Sequence, residues 1–214
     1  MERLLSAKHW QLFVLTYLPP FLLYAIFAAL IFGNIDNIDG ASFAVGMTAF
    51  LPVFFLVILV VTAILYGWYY MVGTRLQRKI PTEYRLDTKY FKVAFFYPLV
   101  YVFLFVIGMF ALAGFGMSGG EAVISPDAEP EFPMAFLMII PLHLMAIASM
   151  LYCMYFIAKT IVTAERREPV RGSDFVGEFF LIWFWPIGIW FLQPRINAIW
   201  ARESGAGNIE DHFV

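Results

Sequence analysis

The sequence predicts an all-α integral membrane protein, a helical bundle of four transmembrane helices with a short Trp-rich C-terminal helix. Three observations predict it. The 214 residues are 62% apolar and only 14% charged, where a soluble domain carries about 25% charge. Four apolar stretches reach the roughly 20 residues needed to cross hydrocarbon. The 14 Lys and Arg residues fall in four places, and two hydrophilic stretches between apolar runs contain none. That asymmetry sets the orientation of a multi-pass chain.

The elements follow in order, within one transmembrane domain over 1–214. Met1 to Trp10 holds Arg3 and Lys8 ahead of the first apolar run, at about 11–32. The run is longer than the apolar part of a signal peptide and contains Pro19-Pro20, so it is expected as a retained first span. Asp36 and Asp39 follow with no base. The second span, about 44–73, contains Ala63 and Gly67, a small-x-x-x-small step suited to close helix packing. Six bases come next: Arg75, Arg78, Lys79, Arg85, Lys89 and Lys92. The third span, about 90–115, leads into an acidic stretch with Glu121, Asp127, Glu129 and Glu131 and again no base. Gly116 and Gly120 form a G-x-x-x-G there, which reads as part of a flexible outer loop. The fourth span, about 134–158, is followed by Lys159, Arg166, Arg167 and Arg171. The positive-inside rule then predicts a cytoplasmic N-terminus, cytoplasmic 75–92 and 159–174 segments, and two acidic outer loops. The location expected is the cell inner membrane.

The C-terminal segment, 175–200, is read differently. Its apolar run, Phe179 to Leu192, is only 14 residues, or about 21 Å as a helix. It contains Pro186 and Gly188, and Trp183, Trp185 and Trp190, with Trp200 just beyond. Tryptophan favours the headgroup boundary, so a re-entrant or interfacial helix is expected, with a short fifth span as the rival. An internal echo supports the rival. Pro81 and Pro169 are 88 residues apart, as are Pro98 and Pro186, and the same shift places Arg78 on Arg166, Lys79 on Arg167 and Phe96 on Phe184. Transporters often contain such repeats; shared membrane composition also produces chance matches. Prolines lie inside every apolar run, where they remove an N–H and kink helices, although Pro is ordinary in membrane helices.

Few residues are candidates for chemistry. His143 lies well inside the fourth span, about nine residues from its outer end, roughly 14 Å by helical rise. An intramembrane ionisable group reads as functional, while a neutral imidazole bonded to a neighbouring helix is the structural alternative. Glu178, with Asp174 one turn earlier, opens the last run. Acids there favour the positive end of a helix dipole, Ser173 or Asp174 could cap the helix, and the functional alternative is a carboxylate held beside the basic turns. Arg75, Arg78, Lys79, Arg166 and Arg167 are candidate contacts for anionic lipid headgroups, each contributing about 1 kcal/mol near the surface; their other role is simply to set orientation. The cluster is short and mixed with acids, so nucleic acid is not an expected partner.

Enzyme signatures such as H-E-x-x-H, G-x-S-x-G or a phosphate-binding loop are absent. One cysteine, Cys153, allows no intramolecular disulfide and reads as a buried small hydrophobe. No catalytic residue, cofactor or metal is therefore expected. The expected function is a non-enzymatic membrane component that acts through helix packing with protein partners, further copies of itself or lipids. The alternative is a transporter or channel for an apolar or amphiphilic solute. The stretch Gly177-Glu178-Phe179-Phe180-Leu181-Ile182-Trp183-Phe184-Trp185-Pro186-Ile187-Gly188-Ile189-Trp190-Phe191-Leu192-Gln193-Pro194-Arg195-Ile196-Asn197 resembles a segment of small uncharacterised bacterial polytopic membrane proteins. The resemblance covers about a tenth of the chain. It implies a bacterial inner membrane and carries over no functional residue.

Overall fold

The computed structural model describes residues 3–33, 39–117 and 134–202. Among them the fold is all-α, with no strand. The helices are α1 (Arg3–Ser6), α2 (His9–Gly33), α3 (Gly40–Arg75), α4 (Lys89–Met117), α5 (Met134–Arg166), α6 (Val176–Trp183) and α7 (Trp185–Ala201), with three short 3-10 turns. Four of these, α2 to α5, are long and apolar enough to cross a membrane, and the chain is a helical membrane protein. The acidic stretch 121–131, Asp36 and Gly120 fall outside the described residues, while Gly116, expected in a loop, lies in the last turn of α4.

The ends of the long helices are set locally. Gln11 reaches back with Oε1 to accept the Lys8 N–H at 2.9 Å, which closes the start of α2. Asp39 is the N-cap of α3, its carboxylate accepting the Ser42 N–H at 2.7 Å. Arg167 closes α5 in the left-handed conformation, φ 58°, while its N–H bonds the Thr163 carbonyl at 2.8 Å. Threonine hydroxyls inside helices are satisfied by the preceding turn: Thr16 on Leu12, Thr48 on Ala44, Thr74 on Tyr70.

Several expectations change here. The helices run past the expected spans, most of all α5, which continues from 158 to Arg166. At 33 residues it is about 50 Å long, and α3, at 36 residues, about 54 Å. Both exceed the roughly 30 Å of hydrocarbon. Pro19, Pro20, Pro52, Pro98 and Pro141 all lie within uninterrupted helices. A break falls only beside Pro186, where Phe184 leaves helical geometry (φ −91°, ψ 57°) and separates α6 from α7. The 14-residue run 179–192 is thus two helices rather than one rod. The 88-residue echo parts company at the same point, because Pro98 sits inside α4 whereas Pro186 opens α7.

The chain divides into two compact units, Met1–Leu86 with Ile157–Val214, and Asp87–Phe156. In the first unit, α2 packs along α3, α1 and α7 meet the C-terminal part of α3, and α6 packs on α7. Its core lies there: Leu5, Leu12, Trp68, Val72, Leu76, Ile161, Ile182, Ile189, Leu192 and Ile196 are buried. The most apolar stretch of α3 buries none of its residues and that of α2 only 6%. The length of α3 beyond the hydrocarbon explains this, since its last turns reach a zone where ordinary core packing excludes water. Gly67, from the small-residue step, faces Leu4; a Cβ there would lie 3.5 Å from that side chain. Ala63 is exposed, so the step does not act as a pair. In the second unit, α4 and the first part of α5 meet through large rings. Phe91 stacks on Phe156 with centroids 4.7 Å apart, and Cys153 is buried at 1% exposure.

Candidate functional site

Two constellations carry polar chemistry, one in each unit. The first is built on α7. Leu192, Ile196 and Ile199 bury one face of this helix, and the same register turns Gln193 inward with no exposure. The Gln193 carbonyl accepts the indole N–H of Trp68 at 2.7 Å. Trp has only a donor to offer, so this bond fixes which way the amide points. The amide nitrogen then faces the Leu4, Leu5 and Ala7 carbonyls at 3.1, 3.4 and 3.0 Å. Those carbonyls end α1 and lack intrahelical donors. Asn197, one turn on, accepts from Gln193 and donates to Ala7, both at 3.0 Å. The N-terminal segment is therefore tied to the C-terminal helix by two amide side chains.

On an adjoining face of α7 stands Arg195. Its guanidinium makes a two-pronged contact with Glu165 of α5, through Nε (3.2 Å to Oε1) and Nη2. Nη1 meets Glu178 of α6 at 2.8 Å. Hydrogen bonding to Glu165 pushes the Arg195 pKa above its usual value, partial burial opposes this, and the Glu178 bond adds to it. One fork thus ties three helices together, the geometry for which Arg is suited and Lys is not.

Glu178 lies in the first turn of α6, as expected, but its ionic partner is Arg195 rather than the basic turns. Neither Ser173 nor Asp174 caps α6, whose N-cap is Phe175 without a side-chain bond. Asp174 instead accepts the Arg171 N–H at 2.7 Å in a 3-10 turn and faces Arg166 at 3.6 Å.

The other candidate bases lie nearby in the same unit. Arg78, Arg166 and Arg167 are exposed and Arg75 half-buried. Lys79 donates to the Arg202 carbonyl at 2.5 Å and sits 5.4 Å from the Trp200 ring centre. Gln77, which sequence reasoning passed over, is buried. It donates to Thr160 at 3.0 Å and accepts the Leu86 N–H at 3.0 Å, securing the turn that carries these bases.

The break between α6 and α7 depends on one residue. A Cβ on Gly188 would lie 1.7 Å from the Leu181 carbonyl oxygen. Only glycine permits that approach. Trp185, just before it, packs edge-on to Trp68 at 4.5 Å; its own indole N–H is buried without a partner.

The second constellation belongs to the other unit and contains His143. The ring is exposed, and its Nδ1 lies 3.2 Å from the Tyr101 hydroxyl on α4. One turn earlier on α4, Tyr97 donates to the Leu142 carbonyl at 3.2 Å. The Tyr97 and Tyr101 rings are nearly parallel, 12° apart with centroids at 6.4 Å. Two adjoining hollows of about 360 and about 460 Å³ flank Tyr97 along the α4–α5 pair. Among the described residues, no group of three or more His, Cys, Asp or Glu side chains could hold a metal.

The key residues that the sequence reading missed are Trp68, Tyr101, Glu165, Gln193, Arg195 and Asn197. A signal existed for two of them: Gln193 and Asn197 are spaced one helical turn apart, with Leu192 and Ile196 beside them. No protein-family model, curated protein or solved structure matches the chain.

Proposed function

We propose that this chain is a non-enzymatic component of a bacterial inner membrane that acts through helix packing with protein partners or lipids, with its N-terminus and its 75–92 and 159–174 segments in the cytoplasm. One observation carries the reading. The first unit concentrates its buried core and its interlocking polar contacts at one end, around Gln193 and Arg195, while the apolar lengths of α2 and α3 pack along each other and hold almost no buried residue. A rigid end with apolar shafts is suited to holding a platform at the membrane surface while the shafts meet lipid or other helices. The exposed bases Arg78, Arg166 and Arg167 around that end fit anionic headgroups. The C-terminal likeness to small bacterial polytopic proteins supports the compartment.

Gentle purification followed by native mass spectrometry tests it. The expected result is a protein that retains anionic lipid or a stoichiometric partner. Exchange of Arg78, Arg166 and Arg167 for Gln should lower lipid retention. A lone, fully delipidated monomer of unchanged stability would refute the reading.

A second reading, a carrier for an amphiphilic solute, is favoured by the polar groups facing the α4–α5 groove. Its test is flux in liposomes that disappears with His143→Ala.

A further inference from the structure

We propose that the groove along α4 and α5 binds a lipid-soluble quinone, a flat ring bearing carbonyl acceptors on an isoprenoid tail. The inference starts from a donor without an acceptor. The Tyr101 hydroxyl and His143 Nδ1 share one hydrogen bond. If Tyr101 donates, the neutral imidazole carries its proton on Nε2, and that N–H is left over. If Nδ1 donates, the Tyr101 O–H is left over, and Nε2 is also an unused acceptor. Either tautomer leaves a donor, and the first leaves fewer groups unmet, so we assign the proton to Nε2. His143 is exposed, and as the tenth residue of α5 it lies about 14 Å along that helix from its first residue.

Acyl chains offer no acceptor to such a donor, and an unmet polar group in hydrocarbon is costly. Phospholipid ester carbonyls lie at the headgroup level, not at this depth. An occupant must bring its own acceptor into the apolar zone. The groove also favours a ring. The near-parallel Tyr97 and Tyr101 rings line the groove and offer aromatic surface on which an offset ring stacks well. The two hollows on either side of Tyr97 have the dimensions of small-molecule sites. Beside them Val100 and Leu104 are more than half exposed, leaving an apolar flank along which an isoprenoid tail can lie. A quinone combines these features: carbonyl oxygen for the His143 N–H, a planar ring for the tyrosines, and a tail for the flank. Binding does not require transport, so this inference and the liposome flux assay succeed or fail separately.

The test uses the full chain in phospholipid nanodiscs and a tritiated benzoquinone bearing one isoprenoid unit, with empty nanodiscs as the partition control. Saturable retention above the control is expected. His143→Phe should weaken it at least tenfold, whereas His143→Gln, which keeps an N–H donor, should stay within a few-fold. Thermal melting of each variant verifies folding. A probe with the same tail on a benzene ring that carries methyl groups in place of the two carbonyls, and so has no acceptor, should also bind about tenfold more weakly to the unaltered protein, a comparison independent of any variant. Retention no greater than in empty nanodiscs, equal binding by His143→Phe, or equal binding of the methyl probe would overturn the proposal. So would efficient disulfide formation between two copies of a Ser149→Cys, Cys153→Ala variant, which would show the groove filled by a second chain.

Discussion

The side-chain carbonyl of Gln193 accepts the indole N–H of Trp68 at 2.7 Å, across 125 residues of sequence, with both side chains shielded from solvent. This bond orients the amide nitrogen toward the carbonyls that end α1, so one residue links the N-terminal segment, α3 and α7.

Gln193→Leu should therefore destabilise the protein by about 1–3 kcal/mol, the cost of leaving buried partners unmet. Trp68→Phe in the same chain removes one of the orphaned groups. Melting in detergent should show the double variant less impaired than the sum of the single ones, as coupled partners require.

At Gly188 the prediction is steric. Gly188→Ala places a methyl group against the Leu181 backbone carbonyl, which no rotamer change can relieve. The α6–α7 junction must open, and the cost should reach or exceed the roughly 1–3 kcal/mol of ordinary overpacking. Limited proteolysis around Trp183–Trp185 is expected to rise sharply.

The Arg195 fork holds two carboxylates, and Glu178 keeps only 14% side-chain exposure. Removing the cation with Arg195→Ala should cost about 1–3 kcal/mol, between the values for surface and fully buried pairs. Arg195→Lys should recover only part, because an ammonium cannot span both Glu165 and Glu178. A pairwise cycle with Glu178→Gln measures the coupling.

Arg167 adopts φ 58° without being glycine. Arg167→Gly should stabilise the fold by up to about 1 kcal/mol, since the left-handed strain of an L side chain is removed. A rise in melting temperature in detergent is the expected readout.

Asp39 supplies a pH-dependent prediction. Its hydrogen bonds with Ser42 lower its pKa below the usual 3.8. A carboxylate depressed in the folded state contributes stability above its unfolded pKa and loses it as pH falls through the folded value. Fraying of Gly40–Phe43 should therefore grow below pH 3.8 and be constant above it. Asp39→Ala should show the frayed state at neutral pH. Amide hydrogen exchange, corrected for intrinsic rates, measures both.

Much of the fold was legible in one dimension. Hydrocarbon demands long unbroken apolar stretches, so composition and length located α2 to α5, and Pro186 with Gly188 marked the break in the last run. The pairing of Glu178 was not legible. Its nearest bases in sequence are Arg171 and Arg167, yet its ionic partner is Arg195, because α6 and α7 fold against each other at Phe184.

The sequence by itself determined the solvent of this protein, its helical class and the sorting of its charges, since these depend only on local hydropathy and on where Lys and Arg fall. Only the tertiary structure decided that Gln193 and Arg195 hold the first unit together and that Tyr101 shares its hydrogen bond with His143. The physical reason is that a hydrogen bond depends on direction and distance between atoms far apart along the chain. Apolar periodicity carries no record of which distant side chain will supply the missing donor or acceptor.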